Sequence, residues 1–280
     1  MAHILSDGET IMHPVSLDTH LAIVDRWMKN QQPIILGARP GLSVDPKSED
    51  LIIMLQPTRI VRRKRIARNF DLLNALFRKS ALKEAFENNP KRQLILHITG
   101  PTPKEHQEDL EKILFAYQKT TKTLPKTVTD RIFLAFSVGW EWHASFSKKQ
   151  FASLTIEDIY QMADVVVFPS ETEGRGLPII EASASGIPII CSHYRPREVF
   201  SDLIGEKLSE NLQIHYTLFP EGKFSRKFLS DVTDLLIHSD ANAKFVSQNR
   251  EAVHTRHSYK SFKYEFGQLL NQLYELGQGV

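Results

Sequence analysis

Short apolar runs alternate with amphipathic segments from about residue 50 onward. The run at 165–168 is β-branched and has no polar alternation, which is typical of a parallel strand covered by helices on both faces. Strands and helices in alternation predict an α/β fold, an open parallel Rossmann-like sheet flanked by helices. The predicted strands are 51–55, 94–98, 132–136, 165–168, 187–191 and 213–218.

Apolar positions that recur every three or four residues predict the helices. One helical face begins at Ile66 and includes Phe70 and Phe77, and we expect its helix to continue to Pro90. The final helix is expected to bury an apolar stripe in the core. That stripe comprises Tyr259, Phe262, Phe266, Leu269 and Leu273.

The first 48 residues differ in character from the rest of the chain. They contain one predicted helix, 16–29, followed by a loop rich in glycine, proline and serine. We therefore expect a short N-terminal lead-in or partial lobe at 1–48 and one Rossmann-like domain with C-terminal helices at 49–280.

Composition and charge exclude several classes of protein. The chain has 280 residues, 41% hydrophobic and 24% charged, as in ordinary soluble proteins. The formal net charge of +2 is too small to predict nucleic acid as the main partner, and the single Cys191 excludes an internal disulfide. No apolar run approaches the roughly 20 residues that span a bilayer. We expect a cytoplasmic protein, free or held loosely at a membrane surface.

Candidate chemistry is concentrated between the fourth predicted strand and the helix after it. Glu173 and Glu181 lie around a glycine pair, Gly174 and Gly176, whose missing Cβ atoms let the backbone approach a bound group. Pro178 suits the first position of a helix, whose free N–H groups favour an anion such as a phosphate. This arrangement predicts a ligand site.

A structural alternative needs no ligand. Ser170 and Glu173 could form a capping box, with Glu181 favoured by the helix dipole. Capping alone does not require both glycines, so we favour the ligand site.

A second set of candidates follows the first predicted strand. Arg59 and Lys64 lie on a loop at the sheet edge where ligands bind in such folds. Arginine can hold a diphosphate with two parallel hydrogen bonds, while lysine adds a mobile charge. A competing hypothesis is a basic patch for nucleic acid or a membrane surface, although the interleaved aromatic residues of such sites are missing. The additional cations are Arg62, Arg63, Arg65 and Arg68.

The two motifs together resemble a known family. Arg59 and Lys64 stand five residues apart after Gln-Pro-Thr, and Glu173 and Glu181 bracket Gly-Arg-Gly-Leu-Pro-Ile-Ile. They are similar to the C-terminal, nucleotide-sugar-binding lobe of retaining GT-B glycosyltransferases of family 4, over about residues 50–275. The resemblance implies transfer of a hexose from a nucleoside-diphosphate sugar, with retention, to an unknown carbohydrate, lipid or small-molecule acceptor.

The resemblance also implies a role for each matching residue. Arg59 and Lys64 would hold the donor diphosphate and stabilise the charge of the leaving group. Glu173 would face the transferred sugar, so the implied catalytic residues are Glu173, Arg59 and Lys64. Glu181 would bind the ribose hydroxyls, and the N–H of Leu177 would lie beside the sugar and phosphates. The implied donor-binding residues are Arg59, Lys64, Gly174, Gly176, Leu177 and Glu181.

No metal or other cofactor is expected. The family usually works without a divalent metal, and this chain has neither a His-Glu-x-x-His nor an Asp-x-Asp donor-site motif. Two features depart from the family. Arg175 stands where an aromatic residue is common, and only about 48 residues stand where the family carries a complete Rossmann-like domain. The second departure suggests a partner subunit that supplies an acceptor lobe.

Two other functions remain open. The chain could be a non-catalytic nucleotide-sugar-binding subunit, or a fragment that needs such a partner. A glycoside hydrolase would use Glu173 and Glu181 as its carboxylate pair, but that hypothesis leaves Arg59 and Lys64 unexplained.

Four further residues have structural and functional interpretations. His97 lies in an apolar strand and is expected to be a core histidine. His193 follows the fifth predicted strand, where it could touch the donor or cap a loop. Trp140 and Trp142 could stack on a nucleobase, although large aromatic side chains more often fill a core.

Overall fold

The computed structural model describes residues 16–31, 33–100, 102–137, 155–238 and 242–278. The strands are β1 (Ile34–Leu36), β2 (Leu51–Gln56), β3 (Gln93–Ile98), β4 (Ile132–Phe136), β5 (Val165–Phe168), β6 (Ile189–Cys191) and β7 (Thr217–Leu218). The helices are α1 (Leu17–Arg26), α2 (Arg68–Lys79), α3 (Leu82–Asn88), α4 (Gln107–Thr123), α5 (Lys126–Thr129), α6 (Ile156–Gln161), α7 (Leu177–Ser185), α8 (Arg197–Ile204), α9 (Arg226–Ile237), α10 (Ala243–His257) and α11 (Tyr259–Gln278). A π-helical segment, Trp27–Gln31, continues α1, and single 3-10 turns lie at Arg62–Lys64, Lys104–His106 and Glu210–Leu212.

Within these ranges seven strands form one sheet, in the order β1-β4-β3-β2-β5-β6-β7. Neighbouring strands are parallel except β1, which runs antiparallel to β4. β3 pairs with one edge of β2, whereas β5 pairs with the other edge of β2. A crevice opens beyond the carboxyl ends of the strands where a sheet changes direction in this way. The predicted α/β fold is confirmed, and the loops after β2 and β5 are neighbours.

Apolar side chains fill the space on both faces of the sheet. Successive residues of a strand point to opposite faces, so Met54 joins a core with α2, α4 and α9, while Leu55 joins one with α6, α7 and α8. A third cluster of buried residues contains Trp27 and Ile53. Helices therefore cover both faces, which explains why the central strands show no polar alternation.

The N-terminal region contributes to this sheet. The strand at 51–55, predicted as the first, is the second, because β1 adds an edge strand to β4. β1 has only three residues and lies between Pro33 and Gly37, so it leaves no clear periodic signal. The predicted helix at 16–29 is confirmed in outline, with Ser16 accepting a hydrogen bond from the N–H of Thr19.

Two predicted elements are shorter or more divided than expected. The helix expected to reach Pro90 breaks into α2 and α3 at Ser80, whose backbone is extended and whose hydroxyl donates to the carbonyl of Leu76. The strand expected at 213–218 is reduced to two residues. Asn249 occupies the backbone N–H and carbonyl of His215, so these groups cannot pair with β6.

The prediction that the last helix buries its apolar stripe is wrong. All five stripe residues of α11 are exposed to solvent. The periodicity was correct, but a periodic stripe does not identify the surface that covers it. None of the described helices is both long enough and apolar enough to cross a membrane.

His97 is a core histidine, as expected. Its ring is fully buried 4.5 Å from the ring of Trp27, and its Nε2 lies 2.5 Å from the hydroxyl of Ser137. Burial lowers the pKa of His97 to about 3. The folded protein therefore holds this imidazole neutral at physiological pH.

This burial predicts a pH-dependent stability. The unfolded chain takes up a proton at His97 below about pH 6.5, whereas the folded chain does so only near pH 3. The free energy of unfolding should therefore fall as the pH drops between these values, by about 2 kcal/mol at pH 5. Urea unfolding of the native chain and of His97→Asn from pH 4 to 8 would measure this. The variant should show the weaker pH dependence, and equal slopes would exclude His97 as the cause.

Candidate functional site

The candidate site is an open cleft of about 1020 Å³ beyond the carboxyl ends of β2 and β5. It is formed by the loop after β2, the turn ahead of α4, and the loop from β5 into α7. Six residues predicted from the sequence line it: Arg59, Lys64, Glu173, Gly176, Leu177 and Glu181. Gly174 belongs to the same loop but is not among the lining residues. Two loops that are about 110 residues apart in the chain thus meet over one cavity, as expected at a change of sheet direction.

Lys64 and Glu173 form a buried ion pair at the base of the cleft. The Lys64 ammonium donates a hydrogen bond to Oε1 of Glu173, and both side chains are less than one tenth exposed. Arg63 Nη1 lies 3.7 Å from Oε2 of the same carboxylate, and the Phe168 ring lies 5.5 Å from the ammonium. Burial lowers the pKa of Lys64, the bond to Glu173 opposes this shift, and the positive charges of Arg63 and Arg59 add to it. The carboxylate is therefore the main group that stabilises the charged ammonium here.

Backbone hydrogen bonds hold the carboxylate loop between two other loops. The N–H of Glu171 donates to the carbonyl of Arg63, and Arg63 Nη1 donates to the carbonyl of Thr172, each at 2.8 Å. On the other side, Glu173 N–H donates to Arg195 O at 2.9 Å, and Arg195 N–H donates to Glu171 O at 2.8 Å. The loops after β2, β5 and β6 are thus joined, which limits the movement of Glu173.

The amino end of α7 forms one wall of the cleft. Gly176 precedes the helix in a left-handed conformation, with φ 65° and ψ 29°, and no side chain caps the helix. Leu177 is the first helical residue and Pro178 the second, one position later than predicted. The N–H groups of a first helical turn lack intrahelical partners, so this end can receive an anion.

The capping-box alternative is wrong. The Ser170 hydroxyl is buried and has no hydrogen-bond partner among the described residues. Glu173 is paired with Lys64, and the helix begins only after Gly176. The two acidic side chains of this segment are therefore not used as helix caps.

Gly176 is required by close packing as well as by its backbone conformation. A Cβ atom at this position would collide with the hydroxyl of Tyr194 and lie 2.8 Å from a methyl group of Leu203. Gly174 differs, because a Cβ atom there would meet nothing within 4 Å. The sequence analysis gives the two glycines the same role. Of the two, only Gly176 is required by packing within the protein.

Glu181 is oriented by a tyrosine that the sequence analysis did not identify as part of the site. The hydroxyl of Tyr160, a buried residue of α6, donates to Oε2 of Glu181 at 2.6 Å. Burial and then the Glu181 charge raise the pKa of Tyr160 well above its usual value, so the hydroxyl keeps its proton and remains a donor. Tyr160 appears in the sequence only as one apolar position of a short helix, which gave no signal of this contact.

The loop that carries Arg59 is also supported by residues missed from the sequence. Buried Gln56 donates to the hydroxyl of Thr58 and accepts from the side-chain amide of Asn69, each at 2.9 Å. Gly100 packs so closely on the backbone of Thr58 and Arg59 that a Cβ atom there would overlap it. The Gln-Pro-Thr sequence therefore stabilises the loop from within.

Most of the arginines behind the basic-patch hypothesis contact protein groups. Arg65 pairs with Glu221 at 2.5 Å, and Arg68 donates to the Glu221 and Gly222 carbonyls at 2.9 Å. Arg62 lines the cleft, and its side chain forms no hydrogen bond or ion pair with the described residues. These contacts weaken the case for an extended basic surface.

Arg175, the residue of this segment that departs from the expected motif, is exposed to solvent. It lines the cleft between Glu173 and Gly176, and it contacts no charged or hydrogen-bonding group in the described part of the chain. His193 instead pairs with the hydroxyl of Tyr216 at 2.8 Å and does not line the cleft.

The structure does not test two further predictions, the stacking of two tryptophans on a nucleobase and the independence from metal ions. Trp140 and Trp142 lie outside the described residues. Within the described ranges, no three His, Cys, Asp or Glu residues form a group that could hold a metal ion. Metal independence stays a prediction.

Comparison with known proteins supports a relationship to glycosyltransferases. Residues 144–207 match the family model described as Glycosyl transferases group 1, a range that contains the loop from β5 and all of α7. No curated protein sequence gives a significant match to the chain.

Solved structures share the fold at low sequence identity. Sucrose-phosphate synthase from Thermosynechococcus elongatus has a TM-score of 0.54 and 20% identity, over 95% of this chain and 50% of that one. Anabaena HepE in complex with UDP has a TM-score of 0.53 and 13% identity, over 90% of this chain and 55% of that one. This chain thus spans about half the length of these proteins. Residues 144–207 are thus similar to glycosyltransferases, and the chain shares the α/β fold of these GT-B neighbours.

Proposed function

We propose that this chain binds a nucleoside-diphosphate sugar in the cleft and transfers its hexose, with retention and without a metal ion. The observation that carries the proposal is the meeting of Arg59, Lys64 and Glu173 with the amino end of α7 over one cavity. Anabaena HepE has been solved with UDP and with UDP-glucose, which are ligands of the proposed class. The proposed setting is the cytoplasm, and the proposed relationship is to the retaining GT-B enzymes of family 4.

The charges of the cleft suit the departure of a nucleoside diphosphate. Breaking the anomeric bond adds negative charge to the diphosphate, and fixed cations stabilise that charge as it grows. Arg59 would bind the phosphates through its planar donors, and Lys64 would supply a charge already positioned by Glu173. The first turn of α7, beginning at Leu177, would add backbone N–H donors and the positive end of the helix dipole.

The two carboxylates would act on different parts of the donor. Glu173 would face the transferred hexose, where its negative charge favours the positive charge that develops on the sugar ring. Glu181 has Oε2 bound by Tyr160, which leaves Oε1 to accept hydrogen bonds from the ribose hydroxyls. Tyr160 would therefore act as a positioning residue for nucleoside recognition.

Arg175 would determine which substrate charge the cleft accepts. Its guanidinium has no counter-ion among the described residues, so a carboxylate or phosphate on the sugar or acceptor would complete its pairing. The acceptor itself would be a carbohydrate, a lipid or a small molecule.

A second candidate function is a nucleotide-sugar-binding subunit without activity of its own. It requires only the donor-binding residues of the cleft, and the chain spans about half the length of the GT-B proteins it resembles. A partner subunit would then supply the acceptor lobe.

Nucleotide binding is the direct test. UDP, GDP and ADP should be compared by thermal denaturation, and a nucleotide present at about 100 times its Kd should stabilise the chain by about 2.7 kcal/mol and raise its Tm. Arg59→Ala should remove this shift. Arg197→Ala is the matched control, because Arg197 pairs with Glu206 at 2.7 Å away from the lining residues, and it should retain the shift. No response to any nucleotide would overturn the proposal.

Activity separates the two candidate functions. The purified chain should be incubated with the matching nucleotide sugar, and release of the nucleoside diphosphate should be followed. Release by the chain alone, lost in Arg59→Ala, supports the transferase. Binding without release supports the subunit that needs a partner.

A further inference from the structure

The turn ahead of α4 brings a histidine into the cleft to which the proposed function gives no role. His106 ends the 3-10 turn Lys104–His106 and lines the cleft together with Arg59 and Lys64. β3 pairs with the edge of β2 that faces away from β5, so the segment after β3 lies beside the loop after β2. The His106 side chain is 35% exposed, which leaves part of its ring open to a ligand.

The Asp109 carboxylate holds the ring of His106. Nδ1 of His106 lies 2.8 Å from Oδ2 of Asp109, whose side chain is only 12% exposed. The same carboxylate accepts a hydrogen bond from the backbone N–H of Arg62, and its Oδ1 lies 3.5 Å from Nζ of Lys112. Burial raises the pKa of Asp109, but these three contacts outweigh burial and lower the pKa below its ordinary value. Asp109 is therefore ionised at neutral pH, and Nδ1 of His106 must carry the proton that lies between them.

The contacts of Asp109 extend beyond the start of α4. A histidine and an aspartate three residues apart on a helix can pair without any ligand. The bond from Arg62 is not explained in this way, because it joins α4 to the loop after β2. The carboxylate thus fixes the imidazole relative to the loop that carries Arg59 and Lys64. A second bonded group behind a side chain is typical of a residue that is oriented for binding.

The atom that His106 offers to a ligand is Nε2. Nδ1 is used by Asp109, and Nε2 has no partner among the described residues. The Arg62 side chain also lines the cleft without a partner in the described part of the chain. A protonated Nε2 and a guanidinium are both donors, and phosphate oxygens accept strong hydrogen bonds from such cations. We propose that His106 binds a phosphate group in the cleft and that Asp109 acts as its positioning residue.

The phosphate can come from either substrate of the reaction. This inference rests on the proposed function, because it takes the phosphate to belong to the nucleotide sugar or to the acceptor. In the first case His106 contacts the donor diphosphate beside Arg59 and Lys64. In the second case the nucleotide leaves His106 free, and a separate phosphate binds there.

Phosphate binding at His106 should depend on pH. Nε2 donates a hydrogen bond only when the ring holds both protons, and Asp109 balances the resulting positive charge. The other charged groups around the ring are Arg62 of the loop after β2, Glu105 of the 3-10 turn and Lys112 of α4. Histidine is the side-chain type in this set that titrates in the neutral range.

Isothermal titration calorimetry with UDP tests a contact with the donor diphosphate. His106→Gln keeps a side-chain donor but loses the charge, so it should raise the Kd for UDP by about ten-fold or more. Asp109→Asn should raise the Kd less, because the amide oxygen still accepts from Nδ1. His193→Gln is the matched control, since His193 bonds the Tyr216 hydroxyl and does not line the cleft, and it should keep the native Kd. Each variant should also keep the native Tm.

Inorganic phosphate tests a contact with a phosphate of the acceptor. If the acceptor supplies the phosphate, His106→Gln should keep the native Kd for UDP, and inorganic phosphate should bind to the chain saturated with UDP. His106→Gln should then raise the Kd for inorganic phosphate by about ten-fold or more. Phosphate that competes with UDP would instead assign His106 to the donor diphosphate.

A pH profile separates a ligand contact from a purely structural role. From about pH 6 to 8.5 the affinity of the native chain for the bound probe, UDP or inorganic phosphate, should fall relative to that of His106→Gln. The ionisation of the probe itself is the same for both proteins and cancels in this comparison. Parallel profiles would overturn the proposal, because a histidine that only supports α4 has no proton linked to the ligand.

The outcomes separate this proposal from the proposed function. If UDP binds and His106→Gln changes the affinity for neither probe, the role of His106 is overturned and the nucleotide site still stands. If no nucleotide binds, pyrophosphate is the remaining probe, and nuclear magnetic resonance of the imidazole nitrogens is the readout. A shift of the His106 signals, identified by their loss in His106→Gln, would support phosphate binding without a nucleotide. Unshifted signals would overturn the role of His106 as well.

Discussion

Replacing Lys64 by alanine is expected to lower the free energy of unfolding by about 3 kcal/mol, because the buried Glu173 carboxylate loses the ammonium bonded to its Oε1 and keeps only Arg63, 3.7 Å from its Oε2. Both side chains are less than one tenth exposed, so water cannot replace the lost ammonium easily. Glu173→Ala should lower the free energy of unfolding by a similar amount, because the Lys64 ammonium then stays buried without the carboxylate it bonds. Denaturant unfolding would measure each change. Lys227→Ala is the control, since its pair with Asp231 is on the surface, and its removal should cost less than about 0.5 kcal/mol.

A double substitution separates the stability of this pair from its role in binding. Lys64→Met with Glu173→Leu removes both charges and keeps apolar volume, so it should cost much less than the sum of the single substitutions. The double variant should nevertheless fail to bind the nucleotide if Lys64 holds phosphate. Additive losses would show that the two residues do not act as a buried pair. Full nucleotide binding by the double variant would exclude Lys64 from the phosphate site.

Gly176→Ala is expected to be the most damaging single-carbon change in the cleft. The left-handed conformation of Gly176 costs an alanine about 1–2 kcal/mol, and the new methyl group would also collide with Tyr194 and crowd Leu203. The total loss should exceed 2 kcal/mol, about the upper end of the backbone cost alone. The variant should also lose nucleotide binding, because the amino end of α7 must move. Chemical denaturation and nucleotide titration would measure the two effects.

Two variants test the stated cause. Gly174→Ala is the matched control two residues earlier, where φ is not positive and a Cβ atom meets nothing within 4 Å, so its stability should change little. Tyr194→Phe removes the colliding hydroxyl, so adding it to Gly176→Ala should recover part of the loss. Equal effects of the two glycine substitutions, or no recovery, would contradict the steric explanation.

The fold could be predicted in large part from local sequence. The runs at 51–55 and 165–168 have a composition that suits strands with both faces covered, and the structure confirms them as strands. β1 escaped prediction because a three-residue edge strand exists only through its pairing with β4. The break between α2 and α3 depends on one serine in an extended conformation, and helical periodicity does not report such a break.

The sequence predicts which residues line the cleft but not how their side chains contact one another. The motifs around Arg59 and Glu173 were expected to meet because both follow parallel strands, and the structure brings them to one cavity. The direct bond between Lys64 and Glu173 was not expected, since the two were assigned separate tasks. Tyr160 was missed as well, because a buried tyrosine and a core residue look the same in a sequence.

The sequence by itself therefore determined which segments become strands and helices, and which residue types could bind phosphate and sugar. These properties depend on side-chain chemistry and on short-range periodicity. The tertiary structure alone decided that Lys64 pairs with Glu173, that Tyr160 orients Glu181, and that α11 leaves its apolar stripe exposed. Each of these depends on distances between segments far apart in the chain, which are set by the packing of the whole sheet and its helices.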